Sequence, residues 1–465
     1  MKLLHTADIH LGITTFGRVD PETGLNTRVL DFKRSFEFLV ERGLEEGIDC
    51  FLFAGDAYRT ADPTPTQQKV FAECLRPVAE AGLPIVMVVG NHDHPVTFGK
   101  ASALDIFGHL DGDVHVFDQP ESAVIETPAG PLQLLAMPWP IRSKILSKTE
   151  HQGKSPKALR EFIEDRYTHF IEQKAAQMDP SLPAVLAGHF SVQGAEMAGS
   201  ERTSLIAHEP KFTAGDLGPA PLDYVALGHI HQHQNRAPDG AGGPPVIYPS
   251  SIERVSFKEW NEKKGFVLVD IDADGAEEAG DKSTQHEFVE TPARSFVALR
   301  VDAREAEDPT EAILEEIEEH DLSGAIVRVR YHIEEAQVTD VDTRRLREAL
   351  SAAHAVASLE RDVDPAERER RTVVTRDSTL EDALRQYVAQ REELASIEDD
   401  LVETLAAHFL CFDSFPFLLH PPPQRERRRP DRYDPPQGRR HRRSRRRPHC
   451  RLAARRRSPR RHRGR

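Results

Sequence analysis

Cysteine is scarce in this 465-residue sequence, and the four cysteines lie far apart. They are Cys50, Cys74, Cys411 and Cys450, so the chain has no CxxC pair of the kind that holds a zinc ribbon. Their spacing does not form a disulfide framework either, which is typical of a chain kept in a reducing compartment.

Long apolar runs are also lacking. The opening segment from Met1 to Asp8 does not contain the apolar stretch of a signal peptide. No segment approaches the roughly 20 apolar residues that a membrane helix needs. We therefore expect a soluble, cytoplasmic protein without a membrane partner.

Lysine is absent from residues 411–465, which hold 20 arginines and only 4 acidic residues. Residues 1–410 hold 41 basic and 72 acidic residues, a net charge of −31. So acidic a body is unusual for a protein that binds the negatively charged nucleic-acid backbone. Two explanations stay open: a high-salt habitat, or a DNA affinity that depends on metal ions and a basic partner.

The arginine- and proline-rich tail, residues 411–465, has a composition that predicts disorder. Such a tail is often a basic arm that binds nucleic acid. We favour the hypothesis of a frameshifted C-terminus, because the change in composition falls abruptly inside a helical pattern and lysine disappears with it.

The first 95 residues alternate between strand and helix patterns. Apolar segments at 2–7, 49–53 and 85–89 predict buried strands, and the three- and four-residue spacing of apolar residues over 28–46 predicts an amphipathic helix between the first two. This alternation predicts a largely parallel α/β sheet covered on both faces, with ligands at the carboxyl ends of its strands.

The length favours two or three domains. We predict a catalytic domain over 1–275, a linker over 276–294 and a small α+β domain over 295–365. A helical segment over 375–410 follows, and it is equally compatible with a solvent-capped terminal helix and a partner-binding helix.

Each predicted strand end is followed by a polar cluster. The clusters are Asp8-Ile9-His10, Gly55-Asp56, Gly90-Asn91-His92-Asp93, Gly188-His189 and Gly228-His229-Ile230-His231. Phosphodiester hydrolysis needs an activated nucleophile and charge neutralisation, which two metal ions held by carboxylate, amide and imidazole groups can supply. Each cluster alone is a weak signal, but five in this order on strand ends predict a two-metal phosphoesterase.

The sequence resembles the calcineurin-like metallophosphoesterase superfamily over residues 1–275, and more loosely to about 405. Within it, the likeness is to bacterial nuclease subunits that work with an SMC-like ATPase. Segments outside the polar clusters carry this narrower likeness: 4–12, 188–196, 248–257 and 262–266.

The resemblance implies a sandwich of two mixed sheets flanked by helices, with a small capping domain and C-terminal helices. It implies one divalent metal ion on Asp8, His10 and His231, and a second on Asn91, His189 and His229. Asp56 would bridge the two ions, and manganese is the metal implied, although iron and zinc would suit the same ligands.

His92 would not bind metal under this resemblance. It would donate a proton to the leaving oxygen or stabilise the transition state, and Asp93 would orient its ring. We interpret four basic residues near the site in sequence as part of a solvated loop rather than as DNA contacts: Arg254, Lys258, Lys263 and Lys264.

The activity implied is a 3′→5′ exonuclease on double-stranded DNA ends, with endonuclease action on single strands and hairpins. Its partners would be DNA and the ATPase, in a heterotetramer that contains a homodimer of this chain. The alternative is a metallophosphatase or a small-molecule phosphodiesterase with the same site, since one fold hosts many substrates. A scaffold with a decayed site is a third hypothesis, which the complete ligand set disfavours.

Overall fold

A computed structural model describes residues 1–95, 99–109, 111–141, 154–199, 209–237, 242–273 and 282–365, with the single residues 145, 276, 385 and 404. The described residues up to 365 belong to one compact unit. The predicted helical segment 375–410, apart from two single residues, and the tail 411–465 lie outside the described residues. Within the described ranges, no helix is both long and apolar enough to cross a membrane.

A six-stranded mixed sheet contains the N-terminal strand. Its first four members in chain order are parallel, and two later strands extend it antiparallel on one side. In spatial order the strands are β14 (Ser283–Glu290), β13 (Gly265–Asp272), β1 (Lys2–Thr6), β2 (Cys50–Phe53), β3 (Ile85–Val88) and β4 (Val114–Phe117).

A second six-stranded mixed sheet faces the first. It also has a parallel centre and an antiparallel strand at each edge. In spatial order the strands are β11 (Gln234–Asn235), β12 (Val246–Tyr248), β10 (Tyr224–Gly228), β7 (Ala184–His189), β6 (Gly130–Met137) and β5 (Glu121–Thr127). A short parallel pair, β8 (Ser191–Val192) with β9 (Lys211–Phe212), lies outside both sheets.

Strand side chains alternate between two cores, which explains why the strands read as continuous apolar runs. Leu3 and Leu52 point into the core between the sheets, whereas Leu4 and Phe51 point into the core under the helices. The predicted largely parallel sheet is therefore divided into two mixed sheets, as the family resemblance implied.

Helices cover the outer faces of the sandwich. The helix α1 (Thr27–Glu45) begins at the cap residue Asn26, and α2 (Pro65–Glu80) begins with a capping box formed by Thr64 and Gln67. Both pack on the first sheet. The helix α3 (Pro156–Ala175) packs on the second sheet, and α4 (Ala214–Leu217) is a single turn.

The predicted linker 276–294 is wrong for residues 283–290. These residues form β14, which pairs with the whole of β13 from Gly265↔Glu290 to Asp272↔Ser283. The strand is half exposed and carries few apolar residues, so its sequence lacks the pattern of a buried strand. The first sheet therefore continues beyond residue 275.

A small domain follows, in which strands and helices alternate. Its elements are β15 (Phe296–Asp302), α5 (Pro309–Glu318), β16 (Ile326–Glu334), α6 (Thr343–Ala349) and β17 (Ala355–Asp364). All three strands are parallel, which makes the domain an α/β unit rather than the predicted α+β unit.

Buried charges and aromatic rings join the small domain to the sandwich. The Arg294 guanidinium donates to both carboxylate oxygens of Asp31 on α1, at 2.5 and 2.6 Å. Phe257 and Phe296 pack with tilted rings, whose centroids lie 5.3 Å apart. The joint therefore fixes the small domain beside the segment that follows β12.

Candidate metal centre

The seven predicted metal ligands and His92 come together where five strands end. β1, β2 and β3 of the first sheet lead to five of the eight predicted side chains, and β7 and β10 of the second sheet lead to the other three. From the first sheet come Asp8, His10, Asp56, Asn91 and His92, and from the second come His189, His229 and His231. The site therefore lies across the carboxyl edges of both sheets.

Asp8, His10 and His231 form one group of buried side chains. The Nε2 atoms of His10 and His231 each lie 3.8 Å from Asp8 Oδ1. The same two nitrogens lie 2.9 Å from each other. One carboxylate and two imidazoles thus converge on a common point.

Asn91, His189 and His229 form a second group. Asn91 Oδ1 lies 3.1 Å from His189 Nε2 and 3.0 Å from His229 Nδ1. An amide oxygen and two imidazole nitrogens therefore face one another.

Asp56 lies between the two groups. Its Oδ2 atom is 3.7 Å from His10 Nε2 and 3.4 Å from His189 Nε2. Its Oδ1 atom accepts a hydrogen bond from the backbone N–H of His92 at 2.8 Å. This is the position that a bridging carboxylate needs.

The donor set fits two divalent metal ions. Three overlapping groups place one potential ligand atom per residue within 4.8 Å of one another: Asp8 with His10 and His231, His10 with Asp56 and His92, and Asp8 with Asp56 and His189. His10 Nδ1 is buried, and among the described residues it has no hydrogen-bond partner. Mixed carboxylate, amide and imidazole donors suit manganese, iron or zinc.

The backbone at this edge is held in an uncommon conformation. Asp8, His10, Asp56 and His229 have φ angles of 52°, 47°, 63° and 95°. Left-handed backbone is rare for residues other than glycine and concentrates at functional sites. The turns that follow the strands therefore have the strained backbone that is typical of a functional site.

The glycine before Asn91 is required by close packing. A Cβ atom at Gly90 would collide with the Asp56 carboxylate and with the Asp56 backbone nitrogen. The Gly-Asn-His pattern is thus a consequence of how closely the β2 and β3 loops approach each other.

The charge of each ligand depends on its burial and on the charges of its neighbours. Burial and the neighbouring His231 hold the pKa of His10 well below its usual value, so this imidazole is neutral, the form that binds metal. Burial lowers the pKa of His189, but the carboxylates of Asp56 and Asp8 outweigh it and raise the pKa to about 9. Metal binding at His189 therefore competes with a proton.

The predicted role of Asp93 in orienting His92 is wrong. Asp93 is fully buried, and its carboxylate accepts hydrogen bonds from the backbone N–H groups of Asp56, Ala57 and Gly90 at 2.7, 2.8 and 3.0 Å. It joins the β2 and β3 loops instead. The His92 ring is oriented by the Arg59 carbonyl oxygen, which accepts from His92 Nδ1–H at 2.9 Å.

Two predicted loop residues are not solvated. The Arg254 guanidinium donates to three backbone carbonyl oxygens, those of Trp260, Arg294 and Glu262. The Lys264 side chain is fully buried, with its Nζ atom 2.8 Å from Glu259. The interpretation of a solvated loop is therefore wrong for Arg254 and Lys264, because both fold back into the protein.

Sequence reasoning missed two buried glutamates at the centre, Glu209 and Glu259. Glu259 Oε1 lies 3.0 Å from His231 Nδ1, and Glu209 Oε2 lies 3.0 Å from His229 Nε2. Burial would raise the pKa of Glu259, but the charge of Lys264 and the His231 hydrogen bond hold it well below its usual value. Neither residue follows a predicted strand, so no pattern marked it.

Comparison with known proteins agrees with this geometry. Residues 1–233 match the sequence profile of the family described as calcineurin-like phosphoesterase. The SbcD component of the nuclease SbcCD from Bacillus subtilis is 32% identical over 288 residues, which cover 58% of this chain and 66% of that protein. Its counterpart from Escherichia coli K12 is 27% identical over 274 residues, covering 58% and 64%.

The chain spans just under two thirds of the length of these two relatives. Among solved structures, a dimetal phosphatase from Danio rerio is 10% identical with a TM-score of 0.33, and the match covers 58% of this chain and 92% of that one.

Proposed function

The chain belongs to the calcineurin-like phosphoesterase family, and from that premise we propose that it is a two-metal DNA nuclease. The observation that carries the proposal is the position of Asp56, whose carboxylate lies between the two groups of convergent donors. The likeness to the SbcD component of the nuclease SbcCD supports DNA as the substrate.

Each group of donors would hold one divalent metal ion. Asp8, His10 and His231 would hold the first, and Asp56 would bridge to the second. Asn91, His189 and His229 would complete the second site. We propose manganese as the native metal, because the donor set mixes oxygen and imidazole ligands.

Bound metal would activate water and neutralise the phosphate oxygens. The chain's own residues would supply the rest. His92 donates its Nδ1–H to the Arg59 carbonyl, so the proton passed to the leaving oxygen would come from the Nε2–H of the imidazolium form, which carries a proton on both nitrogens. The 4.9 Å separation of the His92 and His10 ring centroids places this group beside the centre.

We propose that the small domain, residues 295–365, limits which DNA structures reach the centre. Its support is the rigid joint to α1 through Asp31 and Arg294. The exonuclease action would be 3′→5′ on double-stranded ends, with endonuclease action on single strands and hairpins.

We propose DNA and an SbcC-like ATPase as partners, with a homodimer of this chain inside a heterotetramer that acts in DNA break repair and recombination. The relatives are each named as one component of the nuclease SbcCD, which supports a complex of several chains. The proposed docking segment for the ATPase is 375–410.

The test is incubation of the purified chain with blunt duplex DNA, labelled at either end, with Mn²⁺ or Mg²⁺. Labels at the two ends distinguish 3′→5′ from 5′→3′ degradation. An Asp8→Asn variant purified in parallel, together with EDTA, controls for a contaminating nuclease. If the chain leaves duplex and hairpin DNA intact but rapidly hydrolyses bis-p-nitrophenyl phosphate or a nucleotide, the metallophosphatase or small-molecule phosphodiesterase alternative is favoured.

A further inference from the structure

Two buried carboxylates lie directly behind two histidines of the centre. Glu259 is fully buried and Glu209 is 5% exposed. Glu259 contacts His231 and Glu209 contacts His229, each with an oxygen-to-nitrogen distance of 3.0 Å. Neither glutamate belongs to the predicted ligand set.

In each glutamate–histidine pair, the glutamate contacts one ring nitrogen and the metal centre lies at the other. His231 presents Nδ1 to Glu259, while its Nε2 faces Asp8 and His10. His229 presents Nε2 to Glu209, while its Nδ1 faces Asn91. When the carboxylate accepts the ring N–H, the lone pair of the other nitrogen points to the centre, as a metal ligand requires.

Glu259 is itself held in place. Its Oε2 atom lies 2.8 Å from Lys264 Nζ and accepts the Val255 backbone N–H at 3.0 Å. Lys264 Nζ also donates to the His231 carbonyl oxygen at 3.0 Å. Glutamate, lysine and histidine thus form a closed loop of contacts, in which Glu259 cannot turn away without leaving the buried Lys264 short of one partner.

We propose that Glu259 and Glu209 are positioning residues that each set the affinity of one metal site, Glu259 through His231 and Glu209 through His229. The inference rests on the proposed function, since it requires the two metal sites. A carboxylate behind a histidine ligand fixes the ring tautomer and raises its basicity, and loss of such a partner typically lowers metal affinity about 10–100-fold.

The experiment is a calorimetric titration of the full chain with Mn²⁺, for wild type, Glu259→Gln and Glu209→Gln. Glutamine keeps the size of the side chain and an acceptor oxygen but removes the charge. We expect wild type to bind two Mn²⁺ ions, and each variant to lose about 10–100-fold in affinity at one of the two sites only.

Double variants assign each glutamate to its site. Glu259→Gln should add no further loss in a His231→Gln background, yet it should lower affinity in a His229→Gln background. Glu209→Gln should behave in the reverse way. Residues that act through one another are non-additive, whereas independent residues add.

Two further variants separate positioning from folding. Glu262→Gln removes the other carboxylate that contacts Lys264, at 2.9 Å, but keeps the Glu259 carboxylate behind His231, and it should leave both Mn²⁺ affinities unchanged. Glu259→Gln combined with Lys264→Met removes the buried lysine that would otherwise lack its partner. We expect its melting temperature to recover above that of the single variant while the Mn²⁺ affinity stays low.

The outcomes are distinguishable from failure of the proposed function. If the wild-type chain bound no Mn²⁺, this result would disprove the proposed metal centre itself. Two normal sites in wild type together with unchanged affinities in both glutamine variants would overturn only the inference. Recovery of Mn²⁺ affinity in the Glu259→Gln, Lys264→Met variant would also overturn it, because the effect would then be structural.

Discussion

Most imidazoles of the centre are held through one ring nitrogen. His189 Nδ1 donates to the Ala54 carbonyl at 2.7 Å, and His92 Nδ1 donates to the Arg59 carbonyl at 2.9 Å. A neutral imidazole has one N–H and one lone pair, so a fixed donor also fixes where the lone pair points. At the residue scale, the rings of His189 and His92 are therefore oriented before any ligand arrives.

His92→Gln tests whether His92 acts without binding metal. We expect DNA cleavage to fall about 10²–10⁴-fold, the usual worth of general acid catalysis, while the content of two metal ions per chain is retained. Kinetics and elemental analysis of the same preparation give both values. His94→Gln, at the next histidine along the loop, serves as the matched control and should retain most activity.

The opposite result for metal content would assign His92 a different role. Its ring lies close enough to His10 and Asp56 to form a potential three-ligand group. Loss of one metal ion from His92→Gln would therefore identify it as a ligand.

Asp56→Asn tests the bridging position. Asparagine preserves the shape of the side chain but removes the charge next to both groups, so we expect the affinity for both metal ions to fall more than tenfold. Elemental analysis after dialysis and Mn²⁺ titration measure this. Asp113→Asn, an exposed aspartate far along the first sheet, controls for a general effect of lost charge. Retention of one site at full affinity would contradict a bridging role.

At the scale of elements, the two sheets each supply part of the centre, so the contact between sheets positions it. His5 on β1 is buried in this contact and bonds to two partners on the second sheet. Its Nδ1 accepts from the Tyr224 hydroxyl at 2.9 Å, and its Nε2–H donates to the Leu227 carbonyl at 3.1 Å. β1 ends two residues before Asp8, and β10 ends directly before His229. The two hydrogen bonds of His5 therefore lie next to the strand ends that carry the site.

Tyr224→Phe should destabilise the fold by about 1–3 kcal/mol, because it leaves a buried ring nitrogen of His5 without its hydrogen bond. Urea unfolding in EDTA measures the free energy. Tyr58→Phe is the matched control, since the buried Tyr58 hydroxyl has no hydrogen-bond partner among the described residues. Removal of the Tyr58 hydroxyl should be neutral or stabilising. An equal loss of stability in both variants would contradict a stabilising role for the Tyr224–His5 hydrogen bond.

His5 should also make stability depend on pH. Burial lowers its pKa to about 3, against the effect of the Leu227 carbonyl, from an unfolded value near 6.5. The unfolded chain therefore binds the extra proton between these values, and stability falls as the pH drops below 6.5. We expect about 2 kcal/mol of this loss between pH 8 and pH 5.

Urea unfolding of wild type and His5→Gln at pH 8 and pH 5, both in EDTA, isolates this contribution. The variant will be less stable at pH 8, but its loss between the two pH values should be smaller by about the same 2 kcal/mol. An equal loss in both proteins would show that His5 is already protonated, or is not buried, in the folded state.

At the scale of the whole molecule, the small domain is attached through buried charge as well as through an apolar cluster that includes Phe257, Phe296 and Ile326. Arg28 and Arg294 both bond to Asp31, and Glu253 accepts the Arg294 backbone N–H at 2.9 Å. Buried pairs of this kind need full hydrogen bonding to be tolerated, so they fix one orientation of the two parts. The domain proposed to limit DNA access is thus held in a defined position.

Arg294→Met should destabilise the protein by about 1–3 kcal/mol, the range for lost hydrogen bonds to a charged group, since Asp31 keeps its bond to Arg28. It should also expose the connection near residue 294 to limited proteolysis. Arg304→Met removes exposed ion pairs with Asp302 and Asp364 in the same domain and should change the stability much less. Equal effects of the two variants would mean that Arg294 does not secure the joint.

The sequence by itself determined the strand ends and the residues that follow them. Buried parallel strands are short apolar runs, and the polar clusters after them stand out in one dimension, so Asp8, Asp56, Asn91 and His229 could be predicted with their elements. The helix α1 followed from the three- and four-residue spacing of its apolar residues.

Only the tertiary structure decided which side chains face one another across the two sheets. Asp93 stands beside His92 in the sequence but turns into the protein to bind backbone N–H groups, and Glu259 stands in a charged surface-like segment but turns inward to His231. β14 was hidden because an exposed edge strand lacks an apolar pattern. Sequence spacing records the period of an element, whereas the direction of a polar side chain depends on partners that lie far away in the sequence.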